Sequence, residues 1–223
     1  MNQELYRYKI FGRLKGRKKN KSLFDKKLKD NKISIVKNLN IINYNVIDIG
    51  SGSGENCIFL SLKKSYAKII ACELFEDGNI NLQNEIIKHN IKNVKLYKGN
   101  VLEFLDNILI NRCLNEVWIL FPDPWPKLRQ QKRRLINTNF LIMISNYLKH
   151  NGKIFIATDS QSYLKLILQS IYETKHIYNW ENQDIHNWNY ENHNIPKTKF
   201  FKKAKKLNKK SIIIELKKII LEF

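Results

Sequence analysis

The sequence predicts an α/β fold built on a mostly parallel, doubly wound sheet with helices on both faces. Short β-rich runs alternate with longer amphipathic ones from about Asn45 to Thr158, the order that βα units produce. Two runs, VWILF and KIFIA, are almost unbroken apolar stretches, as strands buried on both faces must be. A glycine-rich turn follows the first run directly, at the strand end where such sheets bind ligands.

Residues 1–40 hold few apolar positions and carry 13 basic against 3 acidic residues, which predicts a basic arm that orders on a partner. Residues 41–223 then form a single domain. Its strands are expected at Asn45–Ile49, Lys68–Cys72, Val94–Tyr97, Glu116–Phe121 and Lys153–Ala157. Helices are expected at Glu55–Lys64, Gly78–His89, Val101–Leu109 and Arg133–Lys149. A further helix over Ser160–Tyr172 sets Leu164, Ile167, Leu168 and Ile171 at helical spacing, a core-facing stripe. The polar, aromatic and then Lys-rich segment at about 181–210 reads as a surface loop. SIIIELKKIILEF after it is β-rich enough to return to the sheet edge.

With 223 residues and 43% hydrophobic content the chain can bury a core, which excludes intrinsic disorder. No stretch approaches the roughly 18 apolar residues of a membrane span, and the start lacks a secretory h-region. Cys57, Cys72 and Cys113 show no CxxC pairing, which argues against disulfides and zinc and fits a reducing, cytoplasmic setting. The five histidines form no i, i+4 pair, so no metal is expected. A monomer is slightly favoured over an oligomer. The net charge of +20 is unevenly spread: residues 196–223 carry 10 basic and 2 acidic, whereas 41–195 carry 17 and 15. Lys, Asn and Ile are all abundant, as codon bias towards AT would make them, but such bias does not sort charge by position. A polyanionic partner does.

The loop VIDIGSGSGEN sets Asp48, Gly50, Gly52 and Gly54 between the first strand and first helix. Glycines let the backbone turn sharply and approach a ligand. A dinucleotide loop reads G-x-G-x-x-G, whereas this one reads G-x-G-x-G with an acid two residues ahead. S-adenosylmethionine, cationic and without phosphate, suits that acid better. Glu73, at the end of the second strand, can accept ribose hydroxyls, and Asn100, after the third, can bond an adenine edge; a strand-end acid and a turn Asn are the alternatives. In FPDPWPKLRQQKRR, residues 121–134, Pro122, Pro124 and Pro126 fix φ and hold Asp123 in a narrow orientation. The alternative is a rigid strand exit with a solvent-facing acid. Lys127, Arg129, Lys132, Arg133 and Arg134 follow it.

FPDPWPK with its trailing KRR resembles the signature of the bacterial tRNA (guanine-N7-)-methyltransferases. FGRLKGRKK near the start, IDIGSGSG, ATD at 157–159 and PKTKF at 196–200 resemble the family's other motifs, in order along nearly the whole chain. The resemblance implies a Rossmann-like class I methyltransferase fold, S-adenosylmethionine as cofactor and tRNA as partner. It implies cofactor contacts at Asp48, Glu73, Asn100 and Asp123; for methyl transfer to guanine N7, the catalytic carboxylate that stabilises the charge developing on the purine is expected to be Asp123, with Asp159 the second choice. The resemblance implies tRNA contacts at Lys127, Asp159, Thr198, Lys199, Phe200 and Phe201. Three positions depart from the family pattern: Asp48 stands where Glu is usual, Asn100 replaces Asp, and Phe201 replaces the Glu of T-K-F-E. The last replaces a carboxylate able to bond a guanine edge with an apolar ring. A methyltransferase for another RNA base is the alternative, although such enzymes more often show N/D-P-P-Y/F/W; a decayed RNA-binding protein is another.

Overall fold

The computed structural model describes residues 41–107 and 111–219, so the basic arm expected over 1–40 lies outside the described residues. The chain divides into two compact units, Met1–Ile110 and Asn111–Phe223.

The first unit holds β1 (Asn45–Ile49), α1 (Glu55–Lys63), β2 (Lys68–Glu73), α2 (Glu76–Lys88), β3 (Val94–Lys98) and α3 (Val101–Asp106). β1 and β3 both pair with β2 in parallel, with Val46 opposite Ile69 and Cys72 opposite Tyr97. All five residues of β1 are buried, consistent with a strand covered on both faces. Leu60 and Leu82 bury the inner stripes of α1 and α2.

The second unit holds β4 (Leu114–Leu120), α4 (Thr138–Ser145), β5 (Leu148–Thr158), α5 (Gln161–Glu173), β6 (Tyr178–Trp180), α6 (Lys199–Lys206) and β7 (Ile212–Lys218). β4 and β5 are parallel, and β7 runs antiparallel to both β5 and β6. The strand order is β3-β2-β1 in the first unit and β4-β5-β7-β6 in the second, mostly parallel as in a doubly wound fold.

Three expectations change. The C-terminal run enters the sheet between two partners instead of closing its edge, because Ile213, Ile214 and Leu216 are all buried; the three-residue β6 takes the edge. The helix expected over 133–149 shrinks to α4. Asn137 caps it by accepting from the Phe140 N–H at 3.0 Å, Arg134 before it is extended, and Leu148 already belongs to β5. The Lys-rich part of the late loop is helical: Thr198 caps α6, and Phe201 and Ala204 form its buried stripe. Two buried residues are a short signal among so many lysines.

Candidate active site

The glycine loop is tied down from β2. Gly50 N–H donates to the Cys72 carbonyl at 2.8 Å, and Gly52 N–H donates to Glu73 Oε2 at 2.8 Å. Gly50, Gly52 and Gly54 all have positive φ, at 72°, 57° and 83°, which side-chain-bearing residues rarely adopt. A Cβ on Gly50 would meet nothing within 4 Å, so the loop has open space beside its backbone there. The Ser51 hydroxyl and the Asn56 amide oxygen are buried without a hydrogen-bond partner among the described residues. Open space beside a bare backbone, edged by unsatisfied polar atoms, fits a polar ligand.

Two acids border this cradle. Glu73 is half-buried, and its Oε1 accepts from the Leu74 and Phe75 N–H groups at 2.7 and 2.8 Å. With Gly52 on Oε2, three of a carboxylate's roughly four acceptor positions are used, leaving about one for a ligand hydroxyl. Asn100 caps α3, its Oδ1 accepting from Leu102 N–H at 2.9 Å. Asp48 is 2% exposed and receives a hydrogen bond from the Cys57 thiol at 3.1 Å. Burial pushes its carboxyl up to about 6; the Cys57 bond offsets part of the rise and the Glu73 charge adds to it.

This burial sets a pH window. An aspartate in the unfolded chain titrates near 3.8, so between that value and about 6 the fold holds a proton that the unfolded chain has released. Stability therefore falls as pH rises through this window and levels off above it, a loss of roughly 3 kcal/mol at most. Urea unfolding at pH 4 and pH 7.5 is expected to show this drop in the wild type and to lack it in Asp48→Asn. An equal drop in both would remove Asp48 as its source.

In the second unit the chain leaves β4 through a strained segment. Phe121 and Trp125, which bracket Pro122-Asp123-Pro124, both have positive φ, 55° and 41°, where bulky side chains are unfavourable. Such strain costs on the order of 1–3 kcal/mol per residue and persists only where the surroundings enforce it, commonly at functional sites. Phe121 N–H is held by the Ala157 carbonyl at 2.8 Å, and the Phe121 ring packs on Tyr190 at 5.2 Å. Asp123 is exposed by accessible surface, yet the chain packed around its carboxyl desolvates it in part and raises its pKa. Asp159, just past β5, pairs with Lys209 at 3.2 Å.

Residues 42–214 match a family model described as "Putative methyltransferase". Curated tRNA (guanine-N(7)-)-methyltransferases are similar: that of Wolbachia pipientis wMel is 38% identical over 65% of this chain and 65% of its own length. That of Zymomonas mobilis is 31% identical over 71% of this chain and 68% of its own. The chain belongs to the tRNA (guanine-N7-)-methyltransferase family. It spans 57% of the length of the Buchnera aphidicola relative, which is 36% identical over 61% of this chain. An rRNA methylase from Streptococcus thermophilus shares the fold, with TM-score 0.52, 13% identity, and coverage of 84% of this chain and 94% of that one. A precorrin-6y C5,15-methyltransferase from Geobacter metallireducens does so too, with TM-score 0.53, 14% identity, and coverage of 86% and 87%.

In this family member the expected RNA-contacting residues separate into surface and interior. Lys127, Arg129 and Lys132 are exposed, and Arg133 lies over the Trp125 ring at 5.0 Å. Arg134 does not face solvent: it is 4% exposed, and its guanidinium is spent on Pro124 and Ser162. Lys199 and Phe200 are exposed, with the Lys199 ammonium 5.3 Å from the Phe200 ring centre. Thr198 is buried as the α6 cap, and Phe201 is 4% exposed, stacked on Tyr190 at 4.9 Å. The departure at Phe201 is thus a core exchange: the ring stacks on Tyr190, which also packs against the tilted Phe121 ring, so the three rings form a cluster that reaches the start of the Asp123 segment.

Sequence reasoning missed Gly78, Cys57 and Tyr190. A Cβ on Gly78 would sit 2.3 Å from the Gly52 carbonyl oxygen, so α2 packs backbone to backbone against the cradle. A glycine in the first turn of an expected helix was the available signal. Tyr190 and Cys57 had none, since their roles depend on partners distant in sequence or hidden inside a helix.

Proposed function

We propose that this chain is a cytoplasmic, S-adenosylmethionine-dependent tRNA (guanine-N7-)-methyltransferase that methylates a guanine in the tRNA variable loop. The observation that carries the reading is the exit of β4: an acid held between prolines and two strained aromatics, with exposed cations following, in a chain of this family. Among the described residues no helix is long and apolar enough to cross a membrane, and no cluster of three or more His, Cys, Asp or Glu is placed to hold a metal.

The cofactor supplies an electrophilic methyl group on a cationic sulfonium. Asp48 and Glu73 are assigned to its charged and ribose portions, Gly50, Gly52 and Gly54 to close backbone approach, and Asn100 to the adenine. Guanine N7 carries a lone pair and no proton, so the protein need not supply a base; its work is positioning and electrostatics. Asp123 is assigned the stabilisation of the positive charge that develops on the purine. Asp123 or Asp159 can accept from the N1 and N2 donors that distinguish guanine from adenine, worth roughly 1–3 kcal/mol per well-made bidentate pair. Lys127, Arg129, Lys132 and Arg133 are assigned to phosphates, with Lys199 and Phe200 extending the surface.

Incubation with S-adenosylmethionine and unmodified tRNA, then reduction and aniline cleavage, maps N7-methylguanine directly. Cleavage at a variable-loop guanine is expected; cleavage at no guanine defeats the proposal. Replacing Lys127 and Arg129 with glutamine is expected to weaken tRNA binding and flatten its salt dependence by about one unit of slope for each phosphate no longer neutralised. An unchanged slope, measured by filter binding across a salt series, would place the RNA elsewhere.

A further inference from the structure

We infer that Arg134 is a positioning residue for Asp123 and takes no part in gripping RNA, although it ends a run of cations. The inference rests on the methyl-transfer reading above. Its guanidinium makes three directed bonds: Nε donates to the Pro124 carbonyl at 2.8 Å, one terminal nitrogen to the Ser162 carbonyl at 3.0 Å, and the other to Ser162 Oγ at 2.8 Å. The same plane lies 5.0 Å from the Tyr163 ring centre. Tyr163 is fully buried, and its hydroxyl accepts from Ile136 N–H at 2.8 Å. Arg134 is thereby bolted to the first turn of α5, which Ser160 caps.

Pro124 is the residue after Asp123, and its carbonyl is the point at which the bolt reaches the strained segment. On the other side of Asp123, Phe121 is held by the Ala157 carbonyl and the Tyr190 ring. Asp123 is therefore suspended between two anchors while exposed itself. Only a planar, multi-donor cation fits the Arg134 position: lysine offers a point charge that cannot address the Pro124 carbonyl and both Ser162 oxygens in one plane. A guanidinium committed in this way, on a residue only 4% exposed, offers no surface to a phosphate.

The test separates positioning from RNA grip. For Arg134→Lys, which keeps the charge, and Arg134→Gln, which removes it, steady-state methyl transfer, tRNA binding and the salt slope are measured beside the wild type and Arg129→Gln. The expected result is a kcat at least tenfold lower, tRNA Kd within about twofold and an unchanged slope, while Arg129→Gln shows the reverse pattern. Ser162→Ala removes one acceptor and leaves the arginine in place; it is expected to lower kcat severalfold without moving Kd, and it reads the same contact should the Arg134 variants fold poorly. A flattened salt slope in Arg134→Gln, or an unchanged kcat in Ser162→Ala, overturns the inference. An inactive wild type instead defeats the methyl-transfer reading.

Discussion

Asp123→Ala is expected to lower methyl transfer to tRNA by at least about 100-fold while tRNA Kd stays within about twofold. The magnitude follows from what the carboxylate does. No proton must be removed from guanine N7, so the rate depends on placement of the base and on a charge aimed where positive charge develops. Losing one preorganised electrostatic group costs on the order of 10²–10³ in kcat. Binding is spared because the affinity comes mainly from cations on phosphates, and Asp123 is an anion set among them. Asp123→Asn divides the effect, since it keeps an acceptor of the same shape and removes the charge; it is expected to fall between wild type and alanine. Partial desolvation raises the Asp123 pKa, so the ionised, active form is lost as pH falls and the acid limb of kcat lies above the ordinary aspartate range. Single-turnover rates with saturating cofactor check all three statements, and Asp123→Ala with wild-type turnover would remove the residue from the mechanism.

Gly78→Ala is expected to cost the cradle its shape. In an ordinary helix position this exchange stabilises by up to about 1 kcal/mol, because alanine is the better helix former. Here the new methyl would lie 2.3 Å from the Gly52 carbonyl oxygen and 2.9 Å from its carbon. Both are backbone atoms of a loop already held by Cys72 and Glu73, so neither side can yield cheaply. Overpacking of this kind costs about 1–3 kcal/mol, which exceeds the helix gain and reverses the sign. The displaced loop is the one assigned to the cofactor, so the expected outcome is a lower Tm together with at least about tenfold weaker binding of S-adenosylhomocysteine by calorimetry. A higher Tm with unaltered binding would show that α2 can withdraw from the loop.

Much of the architecture was legible because it rests on local pattern. VWILF and KIFIA are apolar enough to be largely buried strands, and β4 and β5 are; three glycines after NVIDI make a loop with positive φ, and they do. What escaped was set by partners. The C-terminal run reads as β-rich whether it lies at an edge or between two strands, and only its pairing with β5 on one side and β6 on the other decides which. Arg134 follows Arg133 in one cationic run, yet one lies over Trp125 near the surface and the other is sealed against Ser162.

The same division holds for the site. By itself the sequence determined which chemical groups are available: Asp48 and Glu73 beside a glycine loop, Asp123 among prolines, and cations sorted to one run and the C-terminal stretch. Glycine and proline constrain their own dihedrals, and charge is a property of the residue, so these features need no distant contact to be read. The tertiary structure decided how each group is used. Burial, not composition, moves the Asp48 carboxyl up to about 6. The Tyr190 ring makes a core residue of Phe201, and the geometry of three hydrogen bonds turns one arginine of the run inward to hold the loop of Asp123. Solvation and direction belong to the folded surroundings of a side chain, which no run of neighbouring letters contains.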